Sequence, residues 1–219
     1  MFKYILSLIG FGPKVDAAVA QRATTPPGPY GLRLGLSAVI DLSVLGLDKE
    51  NLSMPPSKET FVITGHGTVE DGLVHRFYDD DHRMLQVVCE EGSMEPREVM
   101  LYQAWDDVQP VTDAEWNAWE GPHGKMRRAT YDAEGTVFER VWGEPSTPIA
   151  PLVEFTETVV TDEGSKKLFQ KTMSYRRVLP NGLTESLLII SVRDLASNDR
   201  GSISFMVGNT LAVADVRSV

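Results

Sequence analysis

The sequence predicts an α+β fold in a single domain, mainly antiparallel β-sheet arranged as hairpins in a meander, with a few short helices. Three observations lead to this prediction. Short runs in which apolar and polar residues alternate recur from residue 32 onward. Turn residues typical of hairpins join neighbouring runs at Asp71-Gly72 and Pro180-Asn181-Gly182. One clear helix start signal occurs at Thr112.

The chain of 219 residues divides into an apolar N-terminal segment with a proline-rich linker, residues 1–29, and a β-rich domain, residues 30–219. Apolar residues of the segment recur at the helical spacing i, i+3, i+4, i+7: Phe2, Ile5, Leu6, Ile9. Three interpretations are open: a cleaved signal peptide, an interfacial membrane anchor, or a helix that docks on the body. Residues 26–29 include three prolines, which exclude a helix and make a stiff spacer.

Strands are expected in the domain where apolar residues occupy every second position between two turn signals. The glycines of Gly65-His66-Gly67 are expected to interrupt the run at residues 61–69. The predicted strands are residues 32–38, 61–69, 73–78, 83–89, 99–105, 136–142, 173–179, 183–192, 203–207 and 211–216.

The helix after Thr112 is predicted from a capping box, in which Thr112 and Glu115 each accept a hydrogen bond from the other's backbone amide. Trp116 and Trp119 are three residues apart and share one face of this helix. Packing of that face onto the sheet is the simpler interpretation. The alternative is a small-ligand-binding β domain whose ligand surface uses the four tryptophans: Trp105, Trp116, Trp119, Trp142.

Composition restricts the possible partners and compartment. With 21 basic and 31 acidic residues the formal charge is −10, so the surface repels phosphate backbones and nucleic acid is excluded as a partner. The single cysteine, Cys89, cannot form an internal disulfide, which fits a reducing compartment. Its position in an alternating strand indicates a buried apolar residue. We therefore expect a cytoplasmic protein, with at most peripheral contact to the inner membrane through the N-terminal segment.

Two histidines and an acidic turn form the strongest cluster of chemically active side chains. A two-residue turn at Asp71-Gly72 places Thr68 opposite His75 and His66 opposite Phe77, so the two histidines share a face as diagonal neighbours. The resulting hypothesis is a metal site that activates water for hydrolysis. Its candidate ligands are His66, His75, Asp79, Asp80, Asp81 and His82.

Two other interpretations of this cluster are open: an ordinary solvated turn and a polar binding surface. The spacing matches neither a zinc motif nor a calcium-binding loop. No catalytic residue and no cofactor are therefore predicted from the residues.

The domain resembles the bacterial family called domain of unknown function 2491. The resemblance lies in GTVEDGLVHRFYDDD at residues 67–81, MLQV at 84–87, WNAWEG at 116–121 and FERVW at 138–142. It implies no activity, cofactor or catalytic residue. Members of the family tend to be encoded near relatives of phage-shock protein A, which implies a membrane-associated stress protein as partner. The expectation is a non-enzymatic interaction or accessory module in an envelope-stress assembly.

Overall fold

The computed structural model describes residues 26–47, 49–69, 72–144, 146–196 and 201–219. Strands take up 52% of them and helical turns 13%. The chain is thus mostly β, and its main sheet closes on itself as an eight-stranded antiparallel barrel beside a small second sheet. The predicted α+β meander is wrong. Hairpins do connect neighbouring strands, but pairing between distant segments turns the sheet into a barrel.

The strands of the described residues are numbered in chain order. They are β1 (Ser37–Ile40), β2 (Thr60–Val62), β3 (Gly65–Val69), β4 (Val74–Tyr78), β5 (Arg83–Cys89), β6 (Pro96–Val108), β7 (Thr130–Ala133), β8 (Thr136–Arg140), β9 (Val153–Thr161), β10 (Gly164–Val178), β11 (Thr184–Asp194), β12 (Ser202–Leu211) and β13 (Val216–Ser218). The α-helices are α1 (Ser43–Gly46) and α2 (Asp113–Glu120). None of the helices in the described ranges is long and apolar enough to cross a membrane.

The barrel runs in the order β3-β4-β5-β6-β12-β11-β10-β9, and β9 pairs back onto β3. All eight pairings are antiparallel. Six of them join strands adjacent in sequence, whereas β6–β12 and β3–β9 join segments far apart. Closure removes the exposed edges that an open sheet would leave.

The inside of the barrel is filled by side chains. Alternate residues of the barrel strands point inward. Those of β4, β5, β6, β9, β10, β11 and β12 form one apolar cluster that includes Met84, Tyr102 and Leu188. Glycines make room for two large neighbours, because a Cβ at Gly67 would overlap the Glu157 carboxylate and one at Gly208 would overlap the Tyr102 ring. The lumen is therefore a packed core with polar groups embedded in it.

Two further apolar clusters cover parts of the barrel's outer face. The first packs the sheet β13-β1-β2 and the preceding loop, with Leu32 and Phe61, onto the outer side of β4, β5 and β6. The second packs α2 and the hairpin β7-β8, with Trp116 and Phe138, onto β10, β11 and β12. Both clusters keep water from the outer residues of those strands.

Several local predictions are confirmed. The capping box of Thr112 and Glu115 is present at the start of α2. The turn at Pro180-Asn181-Gly182 joins β10 to β11, with Gly182 at φ 87°. Cys89 is buried, and burial raises the pKa of its thiol.

Three strand predictions need correction. The run 211–216 is not one strand, because Leu211 ends β12 and a helical turn at Val213–Asp215 separates it from β13. The run 32–38 is not one strand, because Gly35 adopts a φ of 78° and β1 begins only at Ser37. Gly65-His66-Gly67 does not interrupt a strand, since these residues begin β3. The predicted N-terminal helix lies outside the described residues, as do Glu70 and Asp71 of the first hairpin turn.

Candidate functional site

Two buried histidines meet on the outer face of the barrel. The pairing of β3 with β4 places Thr68 opposite His75 and His66 opposite Phe77, which confirms the predicted register. Nε2 of His66 and Nδ1 of His75 lie 2.9 Å apart in a hydrogen bond. The His66 ring also stacks on Phe77, with centroids 4.6 Å apart. Two strands and one aromatic ring therefore hold the pair in place.

Burial keeps both imidazoles neutral. It lowers the pKa of His66 to about 4, and the nearby His75 acts in the same direction. Burial also lowers the pKa of His75, against the opposing effect of the Gly72 backbone. At neutral pH both rings are therefore uncharged, and one ring donates the hydrogen bond that joins them.

The shared hydrogen bond leaves two tautomer arrangements. Either both rings carry hydrogen on Nε2, so His66 donates to His75, or both carry it on Nδ1 and His75 donates. In the first arrangement the hydrogen on Nε2 of His75 can donate to a further partner, and in the second that nitrogen is an acceptor. That Nε2 is buried and has no hydrogen-bond partner within the described part of the chain.

The pair lines one side of a groove of about 720 Å³, here called the histidine groove. Alternate residues of β9 lie beside β3 along it, because Thr158 pairs with Thr68 and Val160 with His66. Its described lining combines hydroxyl groups, apolar side chains and one cation: Pro26, Pro27, His66, Thr68, Gly72, His75, Met94, Phe155, Thr156, Thr158, Val160 and Lys167. This is the outer face that neither apolar cluster covers completely.

The acidic turn does not join the histidines. Asp79 is buried, its Oδ2 accepts a hydrogen bond from Nε of Arg83 at 2.8 Å, and its Oδ1 accepts from the backbone amides of Asp81 and Arg83. The side chain of Asp81 forms an ion pair with Lys58 at 2.7 Å. These carboxylates thus close the turn between β4 and β5 and anchor it to the loop before β2.

The pKa values in the turn follow from these contacts. Burial raises the pKa of Asp79, although its hydrogen bonds and charge contacts with Arg83 oppose the effect. The hydrogen bond from Lys58 lowers the pKa of Asp81. Asp80 and His82 are exposed, and His82 takes a positive φ of 63° that completes the turn.

The predicted metal site is therefore only partly assembled. Of its six candidate ligands, His66 and His75 contact each other, while the side chains of Asp79 and Asp81 bind cationic residues instead. No three His, Cys, Asp or Glu side chains in the described ranges converge as metal ligands would. Metal binding by the two histidines stays a prediction.

The four tryptophans lie around the second outer cluster. Trp116 is buried in it, and the other three, Trp105, Trp119 and Trp142, are partly buried against it. Trp105 and Trp116 line two different grooves. Packing explains where the tryptophans lie, and their use as a ligand surface stays a prediction.

Sequence reasoning did not identify the polar network inside the barrel. Arg76 points into the lumen, where its Nη1 donates to Glu157 at 3.2 Å and to Gln170 at 2.7 Å. Tyr78 donates from its hydroxyl to Glu157 at 2.7 Å. Alternation along β4 could have indicated this, since Arg76 and Tyr78 take the opposite face from His75 and Phe77.

Comparison with known proteins agrees with the family suggested by the sequence. No curated protein and no solved structure gave a match. A family model described as protein of unknown function (DUF2491) matches residues 15–217. It therefore spans the whole barrel, both outer clusters and the histidine groove. The chain belongs to the DUF2491 family of proteins of unknown function.

Proposed function

We propose that this protein is a non-enzymatic binding module that takes a small ligand in the histidine groove. One observation carries the proposal: Nε2 of His75 is buried beside the groove without a hydrogen-bond partner among the described residues. Leaving a polar group buried and unsatisfied costs about 1–3 kcal/mol. A ligand that supplies the missing partner recovers this free energy, so the unsatisfied nitrogen favours ligand binding.

The size and lining of the groove fit the same role. A volume of about 720 Å³ falls within the range of roughly 300–1,000 Å³ typical of small-molecule sites. Phe155 and Val160 offer apolar contact, and the threonines and His75 offer directed polar contacts. Such a mixture orients a ligand while removing its apolar surface from water.

The histidine pair supports binding better than it supports catalysis. A general base works best when its pKa lies near the working pH. The pKa of His66 is about 4, because the ring is buried against a second imidazole. A base this weak accepts a proton poorly at neutral pH, whereas a neutral N–H remains an effective hydrogen-bond donor.

A ligand screen by NMR tests the proposal. Protein labelled with ¹⁵N at histidine is mixed with a fragment library of neutral, anionic and cationic compounds, and the His66 and His75 signals are followed. We expect at least one compound to shift both signals and the effect to disappear in His75→Phe. The exposed His123 is the internal control. A library without effect on the pair, or shifts that persist in the variant, would contradict the proposal.

The finer role we propose is accessory, in an envelope-stress assembly at the cytoplasmic side of the inner membrane. It is supported by the family's tendency to be encoded near relatives of phage-shock protein A. The partner would be a membrane-associated stress protein. Affinity purification from cells under envelope stress, with fractionation, should recover such a protein and a membrane-bound pool. Recovery of neither would count against this role.

The contact between the histidines favours one second candidate, a metal-dependent hydrolase. Two imidazole nitrogens 2.9 Å apart could both bind one ion, at about 2.0–2.1 Å each, in place of their hydrogen bond. Elemental analysis of protein purified without chelator separates the candidates. One equivalent of metal that is lost in His66→Gln would support the hydrolase. Protein without stoichiometric metal would favour the binding module.

A further inference from the structure

We infer that the ligand of the histidine groove is a small carboxylic acid with an apolar tail, bound as its carboxylate. This inference rests on the proposed function and specifies its ligand. It depends on three features of the groove: a buried donor without a partner, one cation, and apolar walls beside them.

The donor is the imidazole of His75. This residue is 98% buried (2% exposed), and its Nε2 has no partner in the described part of the structure. An anion held beside Lys167 selects the arrangement with hydrogen on Nε2 of both rings, in which His66 donates to Nδ1 of His75 and the Nε2–H of His75 can donate to the ligand. A ligand atom that binds there must therefore accept a hydrogen bond. Carboxylate oxygens are strong acceptors, because charge-assisted hydrogen bonds are about twice as strong as neutral ones.

Charge complementarity selects an anion. Lys167 is the one cationic side chain in the described lining, and no carboxylate is found among those lining residues. Lys167 pairs with Thr158, which places it on the outer face next to the threonine row. The protein as a whole carries a formal charge of −10, so this lining differs in sign from the average surface.

The apolar part of the lining selects the rest of the ligand. Phe155, Val160 and Met94 offer side chains that gain contact only from an apolar partner. The hydroxyls of Thr68, Thr156 and Thr158 can donate to the second carboxylate oxygen. A carboxylate at the His75 end with an alkyl or aryl tail along the groove satisfies both parts. The groove volume of about 720 Å³ lies in the range of small-molecule sites.

Calorimetric titration with octanoate tests the inference. Octan-1-ol carries the same tail without the charge, and octylammonium carries the opposite charge. We expect saturable binding of octanoate, with octan-1-ol at least about tenfold weaker, since hydrogen bonds to charged groups contribute more than neutral ones. Equal binding of octanoate and the alcohol, or preference for the amine, would overturn the inference.

Matched variants locate the bound carboxylate. Lys167→Gln should weaken octanoate binding about tenfold, whereas Lys167→Arg should largely preserve it. Lys166→Gln removes the same charge from the next residue, which pairs with Val159 on the other face of the strand, and should have no effect. Thr158→Val is a second groove variant that preserves the shape of the side chain. It can therefore be used in the titration when His75→Phe does not fold. Equal losses in both lysine variants would contradict a site at Lys167.

The outcome separates this inference from the proposed function. If the fragment screen finds only neutral or cationic compounds at His66 and His75, the groove binds ligands and the carboxylate assignment is wrong. If neither the screen nor octanoate affects the pair, the proposed function fails as well. An amidated hydrophobic tripeptide and its free-acid form complete the series. Stronger binding of the free-acid peptide than of octanoate would show that the groove prefers the C-terminus of a peptide, and would overturn the assignment of a small molecule.

Discussion

At the scale of single residues, neighbours on one strand have opposite roles. His75 and Phe77 face outward, where His75 lines the histidine groove and Phe77 stacks on His66. Arg76 and Tyr78 face the lumen and meet Glu157. The alternation of a strand separates these sets by one residue. The sequence predicted the outward pair through the hairpin register, but it could not show what Arg76 meets, because Glu157 is 81 residues away.

The buried histidines should make folding stability depend on pH. The folded state holds the pKa of His66 near 4, below its ordinary value of 6.5, so between these values the unfolded chain binds more protons. Stability should therefore fall as the pH drops below 6.5 and should not change through this group above it. At pH 5 the expected loss is about 2 kcal/mol relative to pH 8.

Urea unfolding at pH 8 and pH 5 measures this effect. We expect His66→Gln to lose less stability over that interval than the wild type. The exposed His123 offers the control, because His123→Gln should retain the wild-type dependence. A His66→Gln curve that parallels the wild type would show that the pair does not control the acid response.

At the scale of elements, the sequence was most informative where a few adjacent residues determine the geometry. The capping box needs two residues three apart, and a hairpin needs a turn between two alternating runs. Both could be predicted, at α2 and between β10 and β11. The run 32–38 could not, since Leu32 and Leu34 are buried in the first outer cluster although the backbone bends at Gly35.

The N-cap of α2 gives a prediction at this scale. Thr112→Ala removes the hydroxyl that accepts from the Glu115 amide and should lower the free energy of unfolding by about 1 kcal/mol. Thr112→Ser retains a capping oxygen and should recover most of that loss. Chemical denaturation followed by tryptophan fluorescence is the measurement, because Trp116 and Trp119 lie in this helix. An unchanged midpoint for Thr112→Ala would contradict a stabilising cap.

At the scale of the whole molecule, the decisive pairings join strands distant in the chain. β3 pairs with β9, and β6 pairs with β12, so the meander becomes a closed barrel. Closure also creates the histidine groove, since β3 and β9 supply adjacent parts of its lining. No turn signal marks these contacts, and alternation is the same in an open sheet and in a barrel.

The ion pair inside the barrel should be costly to break from one side. Arg76→Leu leaves the Glu157 carboxylate in the lumen without its cation and should cost about 3–5 kcal/mol of unfolding free energy. Adding Glu157→Gln removes the uncompensated charge and should restore part of the loss. A double-mutant cycle by urea denaturation measures the coupling. Additive effects of the two changes would indicate that the pair does not link β4 to β9.

The sequence by itself determined the local features: the α2 cap, the hairpins, the strand register that makes His66 and His75 diagonal neighbours, and the family. Each depends on residues close together in the chain, where spacing alone limits the geometry. Only the tertiary structure decided that the sheet closes, that the Asp79 and Asp81 side chains bind Arg83 and Lys58, and that Nε2 of His75 is buried without a partner in the described chain. These depend on which distant strands pack together, and the alternating pattern of a strand is compatible with many such partners.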